Sequence, residues 1–405
     1  MAPKIGPKVA TLQGLLSCIG ALSSGRKDAL ITRLSRDLKR PLLPSASKSN
    51  RPIRILSIDM GIKNLAFCVA DIKARDTQND PTEMEFQAWR RFDVAEEVLK
   101  TNHIREPIKE KAQEHTEFRD DRANEDSDAE LYSPSTLSEA AHALVTKTLL
   151  PFRPDIILIE RQRWRSSSSS AIQQWTLRVN LLEGMLWAVL KTMRGSQDKP
   201  TSNRIWHEYE IFSVDPKRVA HFWVEPTIND VVASPRKKSR VKDESIVSDD
   251  LEDGDCIGTA REETVKKISR GKVEKKAKIQ LLRSWLDTKN PSIISNPNKF
   301  GVAPDVDFRF SGEASTTSQA LVAAGKKKTT GKGAITDFNG VDLRKVDDVT
   351  DCFLQAAAWV VWEKNRHHLL QKWDGKSFEG FDEPVKPKAT KAKAARSPRT
   401  KKARA

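Results

Sequence analysis

Leu12, Leu15, Leu16 and Ile19 recur at helical spacing, Gly20 supplies a stop, and Leu30, Ile31, Leu34 and Leu38 form a second apolar stripe. The chain is therefore predicted to open with two short helices joined by a turn. The period then shortens to that of strands. Ile55-Leu-Ser-Ile-Asp59, a tight turn through Gly61, and Leu65 to Asp71 predict a β-hairpin with Asp59 ending its first strand. Glu85 to Arg90 predict a third strand of the same meander. Helical spacing returns at Thr136, where Thr136 and Glu139 form a capping box ahead of Leu137, Ala141 and Leu144, and Pro151 and Pro154 end the run. Asp155-Ile-Ile-Leu-Ile-Glu160 is a short unbroken apolar stretch, the signature of a central strand covered on both faces, and a carboxylate closes it. Ile172, Trp175, Val179, Leu182, Leu186 and Leu190 mark a long amphipathic helix after it. Glu210 to Val214 predict a further strand, and Asp215 to Trp223 a turn and short helix. Val273 to Leu286 is a helix presenting Ala277, Leu281, Leu282 and Trp285 beside a lysine-rich face. Val346 to Arg366 is apolar on nearly every side, the mark of a buried helix.

Charge changes this picture of a plain α/β chain. The 405 residues carry 70 Lys+Arg against 55 Asp+Glu, a formal +15, which predicts an anionic partner, nucleic acid foremost. With 38% hydrophobic and 31% charged residues the whole length cannot form one packed globule. The solvated parts fall where periodicity is lost, near 93–130, 229–270 and within 291–340, the last insert being placed at 305–340, and in an acid-free basic tail at 384–405. Pro41 to Pro52 reads as a linker. No stretch approaches the ~18 unbroken apolar residues of a membrane span, so no membrane partner is expected. Cys18, Cys68, Cys256 and Cys352 lack zinc-site spacing, and Cys18 and Cys68 read as small buried hydrophobes.

The candidate chemistry lies in acids at element ends. Asp59 ends the first strand, Glu160 ends the central strand, and Asp347-Asp-Val-Thr-Asp351 opens the buried helix. Asp347 and Asp351 are i,i+4 and share a helix face, while Asp348 and Asp351 are i,i+3 and nearly do. Carboxylates so gathered repel one another unless cations neutralise them, so a cluster implies bound divalent metal. All-oxygen ligands suit Mg²⁺, with Mn²⁺ as substitute, and such ions support phosphodiester hydrolysis. Each acid alone is more often structural or a helix cap; the joint pattern carries the reading.

The hairpin with Asp59, the central strand with Glu160 and the late helix with its acids resemble the RNase H-like fold of the RuvC resolvases, a mixed sheet flanked by helices. Ser-Ile-Asp59-Met-Gly-Ile-Lys-Asn64, Ile-Glu160-Arg-Gln-Arg-Trp-Arg165 and Val-Asp347-Asp-Val-Thr-Asp351 look like the fungal mitochondrial Holliday junction resolvases, the cruciform-cutting endonucleases. The resemblance implies a catalytic and metal-binding set of Asp59, Glu160, Asp347 and Asp351, with Asp348 a rival for the third place. It also implies four-way junction DNA as substrate, a homodimer, Mg²⁺ with no small-molecule cofactor, and a mitochondrial location. The basic run Arg236 to Arg240 and the tail offer a nuclear alternative. Lys63, Arg161, Arg163 and Arg165 directly follow two of the acids and are assigned to phosphate contact, and Trp164 to base stacking or the core. The Gly25-Arg26-Lys27 start of the second helix resembles the SAP motif, which makes Arg26 and Lys27 DNA-backbone contacts; the rival reading is a helical hairpin packed on the main domain.

The expected organisation is a SAP-like helical module at 1–40, a linker at 41–52, a resolvase domain at 53–375 holding the inserts, and the tail at 384–405. Three other readings remain. Asp59-x-Gly61 also begins the sugar-kinase, Hsp70 and actin fold, but the second Asp-x-Gly-Gly hairpin that fold needs is missing from the sequence. A non-catalytic SAP-type DNA-binding protein explains the charge but not the placement of the acids. A RuvC-like RNA-processing nuclease fits the motifs equally.

Overall fold

The computed structural model describes residues 7–44, 51–73, 82–94, 132–162, 174–195, 208–224, 270–286, 293–294, 306–326, 337–338, 341–342, 345–375 and 378. Two helices come first, α1 (Val9–Cys18) and α2 (Lys27–Lys39). The meander β1 (Ile53–Asp59), β2 (Leu65–Lys73) and β3 (Thr82–Phe92) follows. Next are α3 (Pro134–Ala143), with π and 3-10 turns to Phe152, and then β4 (Ile156–Glu160), α4 (Gln174–Gly195), β5 (Glu210–Val214) and α5 (Pro216–Trp223). The chain continues with α6 (Arg270–Leu286), β6 (Ile293–Ile294), β7 (Val306–Phe310) and α7 (Gly312–Lys326). It ends in a two-residue ladder, β8 (Asp337–Phe338) with β9 (Val341–Asp342), and α8 (Val346–Lys372).

The main sheet runs β5-β4-β1-β2-β3-β7-β6. β1, β2 and β3 are antiparallel neighbours, and β4 lies parallel to both β1 and β5. This is a mixed sheet, with the antiparallel meander and parallel neighbours that the resemblance implies. Side-chain alternation divides its core into two layers. Leu56, Ile58, Ile157 and Ile159 face α3 and α4, whereas Ile55, Ile156 and Leu158 face α8. α8 is buried on nearly all sides because it lies between the sheet and α5, α6 and the N-terminal helices. Indole donors hold it in place: Trp89 Nε1 bonds Val349 O at 2.9 Å, and Trp223 Nε1 bonds Leu354 O at 3.0 Å.

Three expectations need correction. Residues 305–340 are not one unstructured insert: β7 pairs parallel with β3, and α7 packs against β3. Phe308 and Phe310 are too short an alternation to announce that strand, and its value comes from aromatic contact with Phe86 of β3 and Phe353 of α8, edge-on by Phe308 and stacked by Phe310. The helix at 134 starts one turn early, since Ser133 caps it by accepting the Thr136 amide, and Thr136 and Glu139 form no capping box. The N-terminal helices are also packed on the main domain. Leu12, Leu15, Leu16, Leu30, Leu34 and Leu38 share one core with Leu369 of α8 and Phe378, and residues 42–43 press on the α8 layer. Cys18, Cys68 and Cys352 are buried free thiols. The expected inserts at 93–130 and 229–270 lie almost wholly outside the described residues, as do Cys256, the tail at 384–405, Arg163, Trp164 and Arg165. No helix among the described residues is long and apolar enough to cross a membrane.

Candidate active site

Strand parity brings the first two acids together. β1 and β4 are in parallel register with Ile58 opposite Ile159, so Asp59 and Glu160 end neighbouring strands. Both continue the parity of Ile55 and Leu158, the layer that faces α8. The chain then leaves β1 through a turn so tight that a Cβ on Gly61 would lie 2.9 Å from the Asn64 carbonyl oxygen, which only glycine avoids. Asp351, in the second turn of α8, points at the same spot. Carboxylate oxygens of Asp59, Glu160 and Asp351 all lie within 4.8 Å of one another.

The electrostatics match that crowding. Burial pushes the Asp59 carboxyl well above the usual range, helped by Glu160, Asp351 and Asp348, and Asp59 shares a hydrogen bond with Glu160. Burial also raises Asp351, against the pull of Lys278. Asp348 is pushed up to about 7 by burial and then by Asp347, and its Oδ2 is buried with no hydrogen-bond partner. The oxygens of Asp59, Glu160 and Asp351, repelling one another and facing inward, fit a hard divalent cation, which would relieve the shifts of Asp59 and Asp351 together.

Asp347 is not among the acids that converge. It bonds Lys275 Nζ at 2.6 Å, while Lys278 Nζ reaches Asp351 at 3.1 Å and Glu274 at 3.6 Å. Lys278 is 8% exposed; burial would lower its pKa, but Asp351, Glu274 and Glu160 outweigh that and hold it charged. Sequence reasoning saw only a lysine-rich face on α6. The i,i+3 spacing of Lys275 and Lys278 was a signal that they share a face, but their acidic partners lie some seventy residues on.

The basic candidates are spread around this centre. Arg161 follows Glu160, is half exposed, and bonds Asp215 at 2.6 Å, the residue that caps α5. Its neighbour Gln162 is held by Glu183 of α4, whose carboxylate accepts the Gln162 amide at 3.1 Å. Lys63, in the β1–β2 turn, lies over the rings of Trp175 at 4.8 Å and Tyr132 at 5.5 Å, and Arg178 joins the same pair. Arg26 and Lys27 sit at the start of α2, distant in sequence from the acids, with Arg26 exposed.

A family model described as "Mitochondrial resolvase Ydc2 / RNA splicing MRS1" matches residues 55–369, from the first core residue of β1 to the last turn of α8. The chain belongs to this family. Its relatives in the resolvase family include the cruciform cutting endonuclease 1, mitochondrial, of Schizosaccharomyces pombe, 29% identical over 264 residues, covering 65% of this chain and 83% of that protein. The Saccharomyces cerevisiae protein of the same name is 25% identical over 379 residues, covering 92% and 86%. Among solved structures, the yeast mitochondrial Holliday junction resolvase Ydc2 is 20% identical with a TM-score of 0.44, covering 90% of this chain and 98% of that one. Thermus thermophilus RuvC is 13% identical with a TM-score of 0.24, covering 46% and 86%.

Proposed function

We propose that this protein is a structure-selective endonuclease that resolves four-way DNA junctions by metal-dependent hydrolysis of phosphodiester bonds in opposed strands. The observation that carries the reading is the meeting of Asp59, Glu160 and Asp351 within 4.8 Å in a chain of the resolvase family. Its relatives are named cruciform cutting endonucleases and mitochondrial, which supports the substrate class and a mitochondrial place of work.

Asp59, Glu160 and Asp351 would hold the ion, and Asp347 is the fourth acid of the set, one helical turn before Asp351. Mg²⁺ is the expected ion because every donor is a hard oxygen, and Mn²⁺ should substitute. When bound, it supplies positive charge beside the scissile phosphate and lowers the pKa of water there. Lys275 and Lys278 hold Asp347 and Asp351 in place. Lys63, four residues past Asp59, and Arg161, the residue after Glu160, fit phosphate contacts that position the strand, and Arg163 and Arg165 continue the same run in sequence. Arg26 and Lys27 would add backbone contact at the start of α2. Paired incision needs two active sites related by a two-fold axis, which a homodimer provides.

The test compares cleavage of a synthetic four-way junction, a duplex and a structured RNA in Mg²⁺. The family description couples a resolvase with an RNA splicing protein, so the RNA arm discriminates the second reading. Preferential junction cutting is expected, with Asp59→Asn and Glu160→Gln each lowering the rate by roughly 10³-fold or more while junction binding persists. Preferential cutting of RNA, or binding that falls in step with cleavage, would overturn the proposal.

A further inference from the structure

The three acids arrive from β1, β4 and α8, and one repeat inward from each lies a polar joint. Ser57 is two residues before Asp59, Leu158 two before Glu160, and Gln355 four after Asp351, so each shares its acid's face of strand or helix. The Gln355 amide nitrogen donates to Ser57 Oγ at 3.0 Å and faces Ile58 O at 3.3 Å and Leu158 O at 3.4 Å. Ser57 Oγ in turn donates to Cys352 O at 2.8 Å, the residue next to Asp351. Ser57 and Gln355 are both essentially excluded from solvent.

An apolar side chain would cover this stretch of α8 as well as its neighbours Phe353 and Ala356 do, and burying an amide gains nothing in cohesion. What the amide adds is direction. Its two hydrogens bind β1 and β4 to one point on α8, just beneath the place where their carboxylates meet. Packing alone lets a helix slide and roll on a sheet by fractions of an ångström, a latitude that metal coordination does not tolerate.

We propose that Gln355, with Ser57, is a positioning residue that sets the separation of the Asp59, Glu160 and Asp351 oxygens and thereby the affinity of the site for its divalent ion. The inference rests on the reading of those acids as metal ligands. Asn365 provides the contrast: it is also buried on α8 and donates to Cys18 O at 2.7 Å, but it ties the helix to α1, far along α8 from the acids.

The experiment uses the full-length protein and measures Mn²⁺ binding without DNA, by electron paramagnetic resonance, beside kcat and KM on the four-way junction. Gln355→Met keeps length and volume without the donor; Ser57→Ala removes the other half of the joint, and Ser57→Thr retains the hydroxyl. Gln355→Met and Ser57→Ala should weaken Mn²⁺ binding about tenfold or more and lower kcat to match, with KM changed by less than about twofold and Ser57→Thr near wild type. Asn365→Ala should lower the melting temperature yet leave Mn²⁺ affinity unaltered. Wild-type Mn²⁺ affinity in both Gln355→Met and Ser57→Ala, or an equal loss in Asn365→Ala, overturns the inference. A wild-type protein that binds no Mn²⁺ overturns instead the ligand reading beneath it. Should Gln355→Met fail to fold, Ser57→Ala against Asn365→Ala decides.

Discussion

Asp347 and Asp348 stand side by side at the start of α8 and meet opposite environments. Asp347 has an ammonium partner 2.6 Å away, whereas Asp348 has a buried oxygen with none. The resemblance implies Asp347 as the further ligand although Lys275 holds it in this structure, so on that assignment Asp347→Asn should lose cleavage by about a hundredfold or more while Asp348→Asn stays within a few fold of wild type. The reverse result on a junction substrate would make Asp348 the ligand. Their stability effects should separate as well. In the chelated protein Asp348 titrates near 7 against an ordinary 3.8, because burial and Asp347 disfavour its charge. Below the ordinary value both folded and unfolded chains hold the proton and this group costs nothing. As pH rises toward 7 the unfolded chain releases the proton first, so stability falls across that window. Melting in chelator should therefore drop between about pH 4 and pH 7, and Asp348→Asn should flatten the drop. A slope unchanged by the substitution counts against Asp348 as its source.

α1 and α2 are joined to the catalytic helix by contacts that the primary structure does not advertise. Gly20 has a left-handed φ of +69°, and a Cβ there would lie 2.2 Å from the indole of Trp362. Asn365 donates to Cys18 O, Arg366 to Leu38 O at 2.6 Å, and Arg218 of α5 to Gly20 O at 3.2 Å. The pair is thus an extension of the α8 layer. Gly20→Ala combines a disfavoured backbone with overpacking and should cost about 2 to 4 kcal/mol of unfolding free energy. Urea denaturation measures it; a change below about 0.5 kcal/mol would mean that the helices do not depend on this contact.

For the whole molecule, a charge of +15 supplies affinity for any phosphate backbone, and affinity of that kind is paid out in released counterions. Removing residues 1–40 to test their DNA contact would also strip apolar cover from Leu369 and Trp362, so surface substitutions are the cleaner probe. Arg26→Gln with Lys27→Gln should weaken binding to junction and duplex by similar factors and reduce the salt slope by about 2, one for each lost contact. The ratio of junction to duplex affinity should stand. A collapse of that ratio would move shape selection from the sheet domain to the N-terminal helices.

How much of this was legible in the chain follows from the range of each interaction. Apolar period and turn residues report local structure, so the β1–β2 hairpin, β4, α4 and α8 could be read directly, and acids at the ends of such elements marked Asp59, Glu160, Asp347 and Asp351 as candidates, with Asp348 a rival, of which Asp59, Glu160 and Asp351 converge. β7 and α7 could not, because Phe308, Phe310 and Leu321 gain their meaning only against β3 and Phe353. The same holds for Lys275, Lys278 and Gln355, whose partners lie far away along the chain. Residue type and spacing by themselves determined the elements that carry a clear apolar period and which acids stand at their ends. Tertiary structure alone decided which acids meet, which find a lysine, and that the first two helices belong to the core, because charge pairing and packing depend on distance in space.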